Sequence, residues 1–159
     1  MTSLATSFYD LLSDNLPHHA EATAIVDDDR DVSYGALSDS VDQMAGHLVG
    51  QGVLAGDRVV VQLRKSVAEV VAMFAIGKIG AVIVNVNSQW TREQLLYVAR
   101  DSRATGLIVE ARAAGPLAQD RLPATVKAVL VNGPAPGHPS FVSWQDAPSP
   151  SQTRPGKRL

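Results

Sequence analysis

Val59-Val60-Val61-Gln62-Leu63 is an almost unbroken β-branched run, the pattern of a strand covered on both faces. Just beyond it, Ser66-Val67-Ala68-Glu69 reads as a capping box, in which the Ser hydroxyl takes one free N–H and the Glu reaches back to the cap. The helix it opens, to Ile79, is apolar nearly all round through Val67, Val70, Val71, Met73, Phe74 and Ile76, so it must be largely buried. Ala81–Val84 is the next strand. Two buried strands joined by a buried helix lie parallel in one sheet with a right-handed crossover. The window Val67–Val86 is about as long as a bilayer span. Glu69, Gly77, Lys78 and Gly80 interrupt it and a helix boundary falls inside it, so it reads as a buried helix followed by a buried strand.

The flanking sequence extends this unit. Phe8–Leu16 reads as a short helix with Phe8, Leu11 and Leu12 on one face, stopped by Pro17. Thr23–Asp27 and Asp31–Tyr34 read as strands joined by Asp27-Asp28-Asp29-Arg30. The acidic run suits a tight turn, where Asp side chains bond the local backbone, better than a metal site. Tyr34, Leu37, Val41, Met44, Ala45 and Leu48 recur at helical spacing, which places Asp39, Asp42, Gln43 and His47 outward. Gly50 and Gly52 end that helix. Thr91-Arg92-Glu93-Gln94 is a second capping box, opening a helix that turns Leu95, Val98 and Ala99 inward. Thr105–Val109 and Ala128–Val131 are two further strands, with a weak Ala-rich helical stretch between them that breaks at Gly115-Pro116. Strands alternating with helices make this an α/β chain: a mostly parallel sheet with flanking helices. From Gly133 the apolar periodicity vanishes, and Pro134, Pro136, Pro139, Pro148, Pro150 and Pro155 crowd the remaining sequence. We therefore expect an α/β subdomain over residues 1–132 and a surface-running, Pro-rich linker over 133–159, pinned by Phe141, Val142 and Trp144.

At 159 residues the chain has room for one core. A net charge of −2 gives no electrostatic reason to expect a nucleic acid or an anionic membrane as partner. Cysteine is absent, which excludes disulfides, thiolate metal sites and cysteine nucleophiles and fits a reducing, cytoplasmic compartment. The start, MTSLATSFYDLLSDNL, has neither the basic opening nor the long apolar run of a signal peptide.

Few residue groups carry chemistry. Gly50-Gln51-Gly52-Val53-Leu54-Ala55 fits G-x-G-x-x-A, but it follows a helix and precedes a strand. A dinucleotide site needs the reverse order, so the glycines are a helix-ending turn. His18, His19, His47 and His138 have no acidic partner at a ligand spacing and read as solvent-exposed. Ser33, Ser66 and Ser102 fall at helix ends, where capping accounts for them, and none sits in a G-x-S-x-G elbow. Lys65-Ser66 lacks the glycines of a phosphate loop. Arg64 and Lys65 lie at the carboxyl end of a strand, where open α/β sheets bind ligands; they are either ligand contacts or an exposed basic rim. Asn85 and Asn87 end the next strand and either bond a substrate or close their own loop.

Several of these patterns, taken in order, resemble adenylate-forming ligases, the AMP-forming acyl-CoA synthetases. Val32-Ser33-Tyr34-Gly35-Ala36-Leu37 resembles that family's early strand-to-helix motif, Gly56-Asp57-Arg58-Val59 its turn into the first long strand, and Gly77-Lys78-Ile79-Gly80-Ala81-Val82 its glycine-containing helix exit. Val84-Asn85-Val86-Asn87, with Thr91, Glu93, Leu95 and Asp101-Ser102, is most similar to fatty acyl-CoA synthetases. The likeness covers roughly residues 8–131. Ser88 departs from the usual proline, and Ala36 from an acidic residue that would complete a cap.

The resemblance implies the first subdomain of that family's N-terminal domain. A complete enzyme of this kind joins a carboxylic acid to CoA through an acyl-AMP intermediate, using ATP and Mg²⁺. Its Ser/Thr/Gly-rich loop ending in Pro-Lys-Gly, its ribose-holding acid, its hinge and its C-terminal lysine have no counterpart among these residues. No catalytic, cofactor-binding or metal-binding residue is therefore assigned here. The expectation is an N-terminal fragment, inactive alone, whose partner is the remainder of the ligase in the same or a separate chain. The alternatives are a non-catalytic interaction module and an unrelated flavodoxin-like domain, for which Leu63-Arg64-Lys65-Ser66 is a poor phosphate loop.

Overall fold

The computed structural model of the chain describes residues 7–147. Pro148, Pro150 and Pro155 of the expected linker lie outside the described residues, as do the first six residues of the N-terminal stretch. In chain order come α1 (Asp10–Ser13), α2 (Leu16–His19), β1 (Thr23–Val26), β2 (Asp31–Ser33), α3 (Tyr34–Gly50), β3 (Arg58–Gln62), α4 (Val67–Lys78), β4 (Val82–Asn85), α5 (Arg92–Asp101), β5 (Gly106–Glu110), α6 (Ala111–Leu117), β6 (Ala128–Asn132) and β7 (Phe141–Ser143). β1 and β2 pair antiparallel as a separate hairpin, and the other five strands form one sheet in the order β4-β3-β5-β6-β7. Every pairing in it is parallel.

Two apolar layers sandwich the sheet, because alternate strand residues face opposite ways. Val59, Val61, Ile108 and Leu130 pack with Met44, Leu48, Val71 and Ile76 from α3 and α4. Val60, Leu107, Val109 and Val131 pack with Leu95 and Ala99 of α5 and Ala114 and Leu117 of α6. The strand order turns back once. The chain goes from β3 outward to β4, then returns past β3 to β5 and onward. The reversal lies between β3 and β5, and the crevice outside their carboxyl ends is where doubly wound sheets bind ligands.

The local signals act as their chemistry requires. Ser33 Oγ accepts from Ala36 N–H at 3.1 Å and Ser66 Oγ from Glu69 N–H at 3.3 Å. The reciprocal box closes at α5, where Thr91 and Gln94 exchange side-chain-to-backbone bonds; at Ser66 only the first half forms. Ser102, at the other end of α5, donates its hydroxyl to Val98 O at 2.7 Å. Gly52 takes φ +96° in the turn after α3, as a helix-ending glycine does. The apolar window 67–86 is α4 followed by β4, and among the described residues no helix is long and apolar enough to cross a membrane.

Several expectations about the elements need correction. Pro17 does not stop a helix. It sits in the first turn of α2, where its missing N–H has no intrahelical partner to lose. Of the apolar trio before it, only Leu12 is buried, while Phe8 and Leu11 stay about half exposed. α6 runs through Gly115-Pro116 to Leu117, since a proline there forfeits one helical bond, to the carbonyl of the exposed Arg112. Residues 141–143 are a strand on β6, so among the described residues the surface-running stretch after β6 is interrupted there rather than continuous. Phe141 and Trp144 are buried, the anchors expected of them.

Candidate functional site

The carboxyl edge of the sheet is polar where its interior is not. β3, β5 and β6 are buried valine- and leucine-rich runs that end in Gln62, Glu110 and Asn132. These three residues were missed in the sequence. The rule that singled out Arg64 and Asn85, a polar residue closing a buried strand at its carboxyl end, would have found them too.

Glu110, 9% exposed, stands opposite the loop that leaves β3. Its Oε1 accepts Arg64 N–H at 3.1 Å, and its Oε2 accepts from Asn132 Nδ2 at 3.1 Å. The Arg64 guanidinium is 3.9 Å away and its side chain 69% exposed, so this ion pair contributes little. The main-chain bond is what places the Arg64–Ser66 loop. Asn132 Oδ1 in turn accepts Trp144 Nε1 at 3.0 Å and Gln145 Nε2 at 2.6 Å. Gln145 Oε1 receives Gly133 N–H at 3.1 Å and Ser143 Oγ–H at 2.9 Å. One hydrogen-bonded chain thus runs from the end of β3 to the segment that leaves β7.

Gln62 does the corresponding work on the other side. Its Nε2 donates to Trp90 O at 3.1 Å and Asn87 O at 3.3 Å, fixing the loop between β4 and α5. Beside it lies an open cleft of about 320 Å³ lined by Gln62, Trp90, Arg92, Arg112, Leu95 and Leu117, among others. Arg92 is tied to Asp120 at 2.9 Å. A second hollow of about 460 Å³ lies between the acidic hairpin turn, the start of α4 and the exit segment, with Asp27, Asp29, Arg30, Asn132, Trp144 and Gln145 in its wall.

Of the residues singled out in the sequence, Arg64 and Lys65 lie on this rim, exposed. Asn87 closes its own loop, its Oδ1 accepting Gln89 N–H at 2.8 Å, while Asn85 stays exposed at the end of β4. The Asp27–Asp29 run is a turn: Asp27 and Arg30 exchange main-chain bonds and Asp27 Oδ1 accepts Asp28 N–H at 2.8 Å. Among the described residues no group of three His, Asp or Glu side chains converges as metal ligands would. His18 and His19 are exposed as expected, whereas His138 is half-buried, meeting Phe141 edge-on with ring centres 4.8 Å apart. His47 is a correction, for it is 2% exposed. The face it lies on is covered by the segment after β7, which the helical spacing of α3 alone could not reveal.

The edge holds loops in fixed positions, and among the described residues no hydrogen bond joins a hydroxyl nucleophile to a histidine or carboxylate side chain there. A family model described as AMP-binding enzyme matches residues 12–157. The chain belongs to the AMP-binding enzyme family. It is 34% identical over 130 residues to a 3-oxocholest-4-en-26-oate–CoA ligase of Rhodococcus rhodochrous, taking in 80% of this chain and 23% of that protein. It is 30% identical over 141 residues to phosphinothricin tripeptide synthetase PhsC of Streptomyces viridochromogenes, taking in 84% of this chain and 13% of that protein. Its fold superposes with a TM-score of 0.77 and 30% identity on the anthranilate CoA ligase AuaEII in complex with anthranoyl-AMP, covering 89% of this chain and 27% of that one. The chain thus spans between 13% and 27% of the length of these three proteins, and its sheet is that of the N-terminal domain of the ligase structures.

Proposed function

We propose that this chain is the first subdomain of an AMP-forming acyl-CoA ligase, spanning residues 1–132, with residues 133–159 leading toward the loop that grips the phosphates of ATP. The complete enzyme converts a carboxylic acid, ATP and CoA to acyl-CoA, AMP and pyrophosphate. Its setting is the cytoplasm, and the likeness of Val84–Asn87 to fatty acyl-CoA synthetases supports fatty acid metabolism as its context. ATP, Mg²⁺ and CoA belong to the complete enzyme, and this chain alone performs no adenylation.

One observation carries the reading. At the carboxyl edge, where a doubly wound sheet would meet its ligand, the polar side chains of Glu110, Asn132 and Gln62 are committed to holding loops. Adenylation needs preorganised positive charge around the phosphates. Here the rim offers Arg64 and Lys65 without a phosphate-cradling loop. The test is acid-dependent exchange of labelled pyrophosphate into ATP by the purified 159-residue protein, across a panel of fatty and aromatic acids. No exchange above a protein-free blank is expected, and clear exchange with any acid overturns the reading.

A second reading, one subunit of a split ligase, is supported by the apolar groove on the outside of α5. Trp90 and Tyr97 are 39% and 65% exposed and line it with Val98; monomers usually hide such surface. A second polypeptide that co-purifies and confers exchange activity would favour it.

A further inference from the structure

α3 and its C-cap carry Gln43, His47 and Gln51 at successive i, i+4 positions, which fall on one helix face. All three reach main-chain carbonyls of residues 140–146. Gln51 Nε2 lies 3.4 Å from Ser140 O. Gln43 Nε2 lies 3.0, 2.7 and 3.1 Å from the carbonyls of Trp144, Gln145 and Asp146. His47 Nε2 stands 2.6 Å from Asp146 O; a carbonyl can only accept, so Nε2 bears the proton.

Three consecutive carbonyls do not converge on one nitrogen in extended chain, where successive residues face opposite ways. Past Ser143 the backbone therefore curls over the Gln43 amide. The same residues are held from the other side, Trp144 and Gln145 by Asn132. Packing alone does not account for this seam. Apolar side chains would fill the space without imposing a curl, and the arrangement leaves His47 Nδ1 buried with no hydrogen-bond partner, an arrangement native structures rarely accept.

We propose that Gln43 and His47 are positioning residues: they set the path of Trp144–Asp146, the segment by which the chain leaves the sheet. The purpose of that path, to present the downstream polypeptide toward the nucleotide, rests on the proposed function. The latch itself does not.

The test is amide hydrogen exchange on the 159-residue protein, read at Trp144 and Asp146, whose N–H groups bond Val131 O and Ser143 O. Leu107, Ile108 and Leu130 serve as internal controls. Gln43→Glu keeps the shape but removes the donor and sets a carboxylate against carbonyls, and His47→Leu removes the second donor. The double variant should exchange at Asp146 about tenfold faster or more, with the control amides unchanged, as expected of a local opening. His47→Gln, which keeps a donor, should restore part of the protection. Unchanged exchange at Asp146 overturns the proposal, and so does equal acceleration at Leu107 and Leu130, which signals general loosening. If the double variant fails to fold, Gln43→Glu alone, at a half-buried position, is judged by the same two criteria. Failure of the pyrophosphate-exchange reading would leave these exchange rates untouched, so the two ideas fall separately.

Discussion

His47 Nε2 stands 2.6 Å from the carbonyl oxygen of Asp146, which lies 99 residues further along the chain. The contact joins the helix before the sheet to the segment after it. With Gln43 beside it and Asn132 opposite, it makes the exit from the sheet one of the most heavily hydrogen-bonded parts of the carboxyl edge.

Asn132 is the junction of that edge, donating to Glu110 and accepting from Trp144 and Gln145. Asn132→Ala leaves the buried Trp144 indole N–H without its acceptor. We predict a loss of about 1–3 kcal/mol in urea unfolding, the usual cost of orphaning a buried polar group. Trp144 is the buried member of two tryptophans, so its emission should shift to the red at the same time. An unchanged midpoint with unchanged emission would show that the junction is dispensable.

Gly133 holds φ +114°, and a Cβ built there would meet Ala111 Cβ at 3.0 Å. Gly133→Ala therefore combines backbone strain with a steric clash, and should cost about 1–3 kcal/mol. Gly137 has open space around it, so Gly137→Ala should fall within about 0.5 kcal/mol of the parent. Thermal unfolding of the pair provides the comparison, and equal melting temperatures would contradict it.

Lys78, at the end of α4, pairs with Asp42 of α3 and lies 5.0 Å from the centre of the Tyr9 ring. Partial burial alone would lower its ammonium. The hydrogen bond and charge of Asp42, with Tyr9 alongside, outweigh that and hold it above lysine's ordinary 10.5. A raised value in the folded state means that the stabilisation is fully present below pH 10.5 and fades as pH climbs through the folded-state value. Because both side chains are partly exposed, Lys78→Met should cost no more than about 1 kcal/mol at neutral pH. The gap between variant and parent should narrow in strongly alkaline buffer; a gap that widens there would contradict the pairing.

What was legible in the chain was local. Ser33, Ser66 and Thr91 act as caps because a hydroxyl before a helix meets free N–H groups whatever the rest of the fold does. The Val59–Leu63 run declared a two-sided strand, and Asp27–Arg30 a turn, by the same kind of near-neighbour chemistry. What stayed hidden depended on distant partners. His47 looked outward because α3 taken alone has no covering segment there, and Phe141–Ser143 looked like linker because three residues among prolines make no pattern until β6 lies beside them. The spacing of Gln43, His47 and Gln51 was the available clue, since three hydrogen-bonding side chains on one helical stripe suggest a polypeptide backbone as their target. Glu110 and Asn132 were readable by the strand-end rule, but their mutual bond needed the order β5-β6, which no local signal encodes.

If these residues are scaffold, as proposed, the grip on ATP lies in other parts of the ligase. Titration calorimetry of Mg-ATP into the purified 159-residue protein tests it most directly. No saturable heat is expected, with any affinity weaker than about 1 mM in dissociation constant. Saturable one-to-one binding in the micromolar range would contradict it.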